Sequence, residues 1–254
     1  MVSTFWGCLK QIVVEERLRG LEVSVHVLTD GKSILMLPDS MDYKQVGKGD
    51  QPPNTGGMGA HSPSKAIDLD MEARILREVV EPTFRGIQKE DLDYRGVLYI
   101  GLMLTEDGPK VLEYNCRFGD PECQALMLRL GENDLLPLLY ACAKGDLSGC
   151  CIDANKMHKA AACIVLTSKP YPDEPVKGEV ITGIEKAEKH KNATVFHAET
   201  KLENGQILSD GGRVLNICSV GDTLEQAIGR AYDASFEISW PSKYMRKDIG
   251  FRVL

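Results

Sequence analysis

The sequence has no surplus of positive charge. Its 30 Lys and Arg stand against 37 Asp and Glu, a formal net charge of −7. That balance argues against a general nucleic-acid binder, because phosphate backbones need a basic patch. A phosphorylated small molecule held by a few local cations stays open. No apolar run approaches the roughly 20 residues of a membrane span, and Met1 to Lys10 lacks the basic start and apolar stretch of a signal peptide. The eight cysteines include no Cys-x-x-Cys pair, and the five histidines show no metal-ligand spacing. Reduced, mostly buried thiols in a cytosolic protein are therefore expected, rather than zinc or disulfides. The sequon Asn192-Ala193-Thr194 is idle without a secretory signal. No G-x-G-x-x-G occurs. Gly31-Lys32-Ser33 looks like the end of a phosphate loop, but His26 stands where its leading glycine belongs. There is no internal repeat and no low-complexity tract.

What is present is ordinary for a globular protein: 43% hydrophobic and 26% charged residues over 254 positions. The length suits one large domain or two smaller ones. Gln11 to Val14 is apolar and β-branched and runs into Glu15-Glu16-Arg17-Leu18. Leu21 to Leu28 alternates, with Leu21, Val23, Val25 and Val27 on one face and Glu22, Ser24 and His26 on the other. Asp30-Gly31 signals a hairpin turn, with a returning strand over Lys32 to Leu37. The glycine- and proline-rich stretch Asp39 to Pro63 reads as a long loop, and Asn54 to Ala60 within it suits close backbone approach to an anion. Asp68 to Ile87 is an amphipathic helix with Met71, Ile75, Val79, Val80 and Phe84 as its apolar stripe and a kink at Pro82. Strands follow at Tyr94 to Thr105 and from Lys110, then helices up to Lys144 with Gly145 as a stop. Near Asp153 the character changes to short strands and glycine turns, ending in a helix from Leu224 to Phe236. The expectation is an α+β protein with a second, smaller α+β domain.

The richest stretch in chemistry is Leu112 to Gln124. Strand alternation puts Val111, Glu113 and Asn115 on one face, with Arg117 beside them if the strand runs that far, and Leu112 and Tyr114 toward a core. Asp120 suits a helix N-cap, Pro121 the first helical position and Gly131 the residue past the end. An acid, an amide oxygen and a cation on one face point to a hard metal and a phosphate, or else to an exposed polar strand face.

With these pieces together, the sequence resembles the phosphoribosylamine–glycine ligases (glycinamide ribonucleotide synthetases), ATP-grasp enzymes of purine biosynthesis. The resemblance runs from about Val13 to Leu254. It is carried by Glu15-Glu16 with Glu22-Val23-Ser24, the loop Pro53 to Ala60, Glu113 to Gln124, Gly211 to Leu215 and Arg246 to Arg252. It implies the second half of an ATP-grasp domain, an antiparallel sheet with helices, over 1–152 and a carboxyl-terminal α+β ligase domain over 153–254. It also implies cytoplasmic ligation of glycine to 5-phosphoribosylamine with ATP cleaved to ADP and phosphate, through an acyl phosphate.

The same resemblance implies residue roles. Glu113 and Asn115 would ligate Mg²⁺ or Mn²⁺, with two protein ligands only, because Tyr99 to Met103 offers no further acid. Arg117 would contact the transferred phosphate. The backbone at Glu15, Glu16 and Leu18 would meet adenine, and Glu22 the ribose hydroxyls. Asp42, Lys44, Gly56, Gly57 and Met58 would line the phosphoribosylamine site. Tyr43 and Gln45 depart from the family's usual His and Arg, and Pro170 and Glu199 stand where glycine is expected. An amino-terminal domain and the lysine-bearing first ATP-grasp half are not found in this sequence. The expectation is a chain that alone binds ATP weakly and does not turn over, derived from or completed by a longer chain or with the missing half supplied by a separate one. Another ATP-grasp ligase or carboxylase, or a non-catalytic truncated paralogue, are the alternatives. No nucleic-acid or membrane partner is expected.

Overall fold

A computed structural model describes residues 13–254. Gln11 and Ile12, the start of the expected β-branched segment, lie outside the described residues. In chain order, the first half holds β1 (Leu21–Thr29), β2 (Ile34–Met36), β3 (Met41–Asp42), β4 (Gln45–Gly47), β5 (Gln51–Asn54), β6 (Gly59–Ser62), α1 (Leu69–Ile75) and α2 (Glu81–Lys89), followed by β7 (Gly96–Thr105), β8 (Gly108–Asn115), α3 (Glu122–Arg129) and α4 (Leu135–Lys144). The second half holds β9 (Ala160–Ser168), α5 (Ile184–Ala187), β10 (Ala193–His197), β11 (Thr200–Glu203), β12 (Gln206–Ser209), β13 (Arg213–Gly221), α6 (Leu224–Glu237) and β14 (Lys243–Tyr244).

Among the described residues, one sheet has the order β2-β1-β7-β8 and a second the order β10-β13-β9-β6-β3, with β14 also on β9. Every pairing in both is antiparallel. The hairpin at Asp30-Gly31 forms as expected. Asp30 Oδ1 accepts the Lys32 amide at 2.8 Å, and Gly31 has φ +89°, a left-handed conformation that favours glycine. The amphipathic helix also forms, capped by Asp68, whose carboxylate accepts the Met71 N–H at 2.8 Å. Its break is a π-helical turn, Leu76–Val80, just upstream of Pro82, where a proline lacks an N–H to continue the ladder. Ile75, Val79, Val80 and Phe84 are buried beneath β1 and β7 residues of the same core.

The stretch 39–63 is not a loop. It contains β3 to β6, and two of these, β3 and β6, join the sheet built around β9. Glycines and prolines mask these short strands: β4 and β5 pair with each other, while β6 pairs with β9, far along the chain, which no local pattern encodes. The division expected at 152/153 consequently does not separate the sheets: strands from both sides share one. Bridge hydrogen bonds between Ser24 and Ser40, at 2.8 and 3.0 Å, stitch the two sheets together.

β9 is buried along its whole length, which explains its unbroken apolar run. Ala161, Cys163 and Val165 on one face pack with Ala125 of α3, while Ala160 and Ala162 on the other pack with Leu224, Ala227 and Ile228 of α6. The start of α3 is thus fixed against the central strand. β8, by contrast, is an edge strand, and Tyr114 is 47% exposed instead of core-facing, its hydroxyl 2.8 Å from that of Thr83. A bulge between the Gly101–Glu113 and Leu102–Val111 pairs leaves Leu112 without a partner and only half-buried.

Candidate active site

β8 carries Glu113 and Asn115 opposite Gly101 and Tyr99 of β7. They line a cleft of about 250 Å³ together with Asp42, Lys44, Thr55, Gly56, Tyr99, Arg117, Gly119, Asp120 and Glu122. Six of the residues expected from sequence therefore meet in one place: Asp42, Lys44, Gly56, Glu113, Asn115 and Arg117. Glu22 adjoins them through Lys44, whose ammonium pairs with the Glu22 carboxylate and lies 3.8 Å from Glu113. Burial opposes the Lys44 charge, but Glu22 outweighs it and holds the Lys44 pKa above the ordinary value.

Other expected residues sit elsewhere. Glu15 and Glu16 are exposed and Leu18 half-buried on an irregular segment before β1, and they do not line the cleft. Met58 is fully buried, with its N–H given to Tyr43 O at 2.9 Å and its carbonyl taken by Val165 N–H at 3.1 Å. Its neighbour Gly57 has φ +117°, and a Cβ there would come within 2.4 Å of Pro121 and 2.9 Å of Asp42 Oδ1. Gly57 is thus needed for the loop to lie against the α3 turn. Asp120 is not the α3 cap. The helix begins one residue later than expected, Pro121 takes the cap position without a side-chain bond, and the Asp120 carboxylate is held by Arg213 Nη2 at 2.9 Å. Gly131, with φ +61°, does follow the helix end.

Sequence reasoning missed the polar layer beneath the cleft. The β1 residues Ser24 and His26 are buried, covered by the turn between β8 and α3. Ser24 Oγ donates to Glu122 Oε1 at 3.0 Å, and His26 Nε2 accepts the Gly119 N–H at 3.0 Å. Burial first, and then the Arg117 charge, push His26 down to about 3, so it is a neutral acceptor. Glu122 is 2% exposed, and burial raises its pKa. Burial and then the Glu122 charge push Asp42 well above the carboxylate range, and Asp42 Oδ1 is buried without a hydrogen-bond partner. Two acids that resist ionisation thus face one ammonium across the cleft. Glu122 lay within the quoted motif; its inward direction was the unreadable part.

Three of the four departures from the family pattern, Tyr43, Gln45 and Glu199, have structural roles. Tyr43 is buried, with the Arg252 guanidinium 4.6 Å and that of Arg246 5.3 Å from its ring centre, and its hydroxyl 3.2 Å from His61 Nε2. Burial pushes its phenol up to about 12. Gln45 bonds Asn54 across the β4–β5 hairpin at 3.0 Å and does not line the cleft. Glu199 accepts the Arg213 N–H at 3.0 Å. The carboxyl-terminal Arg246 makes a fork with Asp248, at 2.9 and 2.8 Å, and also bonds Asp50 at 3.0 Å, while Arg252 bonds Asp50 and the Asp42 carbonyl. That network anchors the segment carrying Asp42 and Lys44.

Two family models match this chain. The ATP-grasp (A) domain of phosphoribosylglycinamide synthetase matches residues 1–123, and its C domain matches residues 161–252. The chain belongs to the phosphoribosylglycinamide synthetase family. A phosphoribosylamine–glycine ligase of Brucella melitensis is 45% identical over 99% of this chain and 58% of its own length. The chloroplastic phosphoribosylamine–glycine ligase of Arabidopsis thaliana is 43% identical over 98% of this chain and 46% of its own. The crystal structure of the Thermotoga maritima ligase superimposes with a TM-score of 0.81 at 32% identity, covering 92% of this chain and 56% of that one. The biotin carboxylase subunit of pyruvate carboxylase, at 14% identity and a TM-score of 0.59, shares the fold. The α+β, antiparallel ATP-grasp architecture is therefore common to the synthetase family and to more distant folds. The chain spans just over half the length of the curated relatives from bacteria. Among the described residues, no helix is long and apolar enough to cross a membrane.

Proposed function

We propose that this chain carries the metal- and phosphate-facing part of a site that joins glycine to 5-phosphoribosylamine with cleavage of ATP, giving glycinamide ribonucleotide, ADP and phosphate. The reading rests on one observation: Glu113, Asn115 and Arg117 share a cleft with Asp42, Lys44 and Gly56 in a chain of the synthetase family.

Glu113 and Asn115 would hold Mg²⁺ or Mn²⁺. The donor set fits such an ion, because a carboxylate and an amide oxygen two residues apart face an oxygen-rich cleft on an edge strand, and the Glu113 side chain is 51% exposed. Among the described residues, no group of three or more His, Cys, Asp or Glu could hold a metal alone, so phosphate and water would complete its shell. When bound, the ion neutralises charge on the ATP phosphates.

Arg117 uses one N–H on the Phe118 carbonyl at 2.8 Å and has its remaining donors for the transferred phosphate as an acyl phosphate of glycine forms. Asp42 and Lys44, with the Gly56-Gly57 backbone, face the phosphoribosylamine, whose amine attacks the acyl carbon and expels phosphate. Met58 supports that loop from within the core. Glu22 meets the ribose, and the backbone of Glu15, Glu16 and Leu18 the adenine edge. The residues 1–152 act as the ATP-grasp portion and 153–254 as the ligase portion, and the reaction is cytoplasmic.

Lys44 is the one lysine lining the cleft among the described residues, and Glu22 and Glu113 already engage it. The chain alone is therefore expected to hold Mg-ATP weakly and not to turn over, with further phosphate-facing cations supplied by a longer chain or a partner chain. Calorimetric titration of Mg-ATP into the wild-type chain and Glu113→Ala tests the site. At least tenfold weaker binding in the variant is expected, and equal affinities would remove Glu113 from the metal. ADP formation by the purified chain that depends on both glycine and 5-phosphoribosylamine would support the ligation and overturn the need for a partner.

A further inference from the structure

A second groove, of about 500 Å³, opens on the carboxyl-terminal part and shares no lining residue with the active-site cleft. Four of its seven lining residues are lysines, namely Lys48, Lys169, Lys243 and Lys247, and none is acidic. In a chain of net charge −7 this is a local inversion. Of the carboxylates flanking these residues, Asp50 and Asp248 pair with Arg246, Glu179 bonds Ser242, and Glu237 lies 3.5 Å from His190. Lys243 donates to the carbonyls of Ser235 and Ile238 at the end of α6, which fixes its position. Burial, and then the Lys247 charge, lower its pKa to about 8. The groove also has flat apolar surfaces. Lys169 lies 5.8 Å from the ring centre of Tyr244, and Phe236 is 59% exposed at the rim.

We propose that this groove is a second ligand site, for a mononucleotide-like phosphate ester. Lys169, Lys247 and Lys48 take the phosphate, and Phe236 and Tyr244 take the ring. The volume falls within the range of small-molecule sites, and lysines around a cavity act as point charges for phosphate. The proposal does not rest on the ligase reading, since neither the cleft nor its metal takes part.

The test titrates AMP and inorganic pyrophosphate into the full chain in EDTA, which silences metal-dependent binding at the cleft. Lys169→Glu/Lys247→Glu, two exposed positions, is expected to weaken both probes at least tenfold. Phe236→Ala is expected to weaken AMP but not pyrophosphate. Glu113→Ala is expected to leave both probes unaffected. Equal binding to wild type and the double-lysine variant, no binding at millimolar concentration, or loss of binding in Glu113→Ala would each overturn the site. If the charge-reversed variant does not fold, Lys169→Gln/Lys247→Gln takes its place, with NMR shifts of the Met245 methyl reporting occupancy: unmoved signals at saturating AMP would refute the proposal.

Discussion

Arg213 Nη2 lies 2.9 Å from the Asp120 carboxylate, while Nη1 of the same side chain donates to the carbonyls of Gly56 at 2.7 Å and Asp120 at 2.8 Å. One guanidinium on β13 thus ties together the loop and the turn that form two walls of the cleft. A lysine cannot reproduce this fork. Arg213→Met is expected to lower stability by about 2 kcal/mol, and Arg213→Lys to recover little of it. Urea unfolding midpoints at constant m-value measure the change, and a loss within error for Arg213→Met would show that the walls hold without the clamp.

The acids Asp42 and Glu122 predict an unusual pH response. Both have folded-state pKa values above the ordinary carboxylate range, burial being the first cause in each. Between the unfolded value, roughly 4, and the raised folded value, the native state binds more protons than the unfolded state. Their contribution is therefore full at low pH and declines as pH rises above about 4. Glu122→Gln removes one of these titrations, so the wild-type-minus-variant stability difference should fall with rising pH from 4 to 7. A flat difference across that interval would show that Glu122 ionises normally.

His26 gives the opposite slope over part of the same range. Its folded pKa of about 3 lies below the ordinary 6.5, so the unfolded state binds the extra proton between these values. Stability from this group is complete above about 6.5 and is lost as pH falls toward 3, at up to about 1.4 kcal/mol per pH unit. His26→Gln keeps an oxygen acceptor within reach of the Gly119 N–H but cannot titrate, and should abolish that slope. NMR titration of the His26 ring offers a direct check: an imidazolium forming near pH 6 would refute the buried, neutral assignment.

The local features were largely readable. Asp30-Gly31, the apolar stripe from Ile75 to Phe84, the α4 stop at Gly145 and the alternation of Glu113 with Asn115 depend on neighbours in sequence, and each appears in the fold. Features set by distant partners were not. Tyr114 was expected to face a core, yet β8 lies at a sheet edge, and Asp120 was expected to cap α3, yet Arg213 holds its carboxylate from 93 residues away. Likewise, β3 and β6 looked like loop until β9 supplied their sheet.

The sequence by itself determined the family, the α+β character and the chemical types available to the cleft, because motif residues and periodicity are properties of the chain order. Tertiary structure decided which of them meet. It brought Asp42 and Lys44 against Glu113, buried Ser24, His26 and Glu122 beneath them, and withdrew Met58 into the core. The reason is physical: side-chain direction and burial follow from long-range strand pairing, and burial sets the protonation of the acids and histidine at the site.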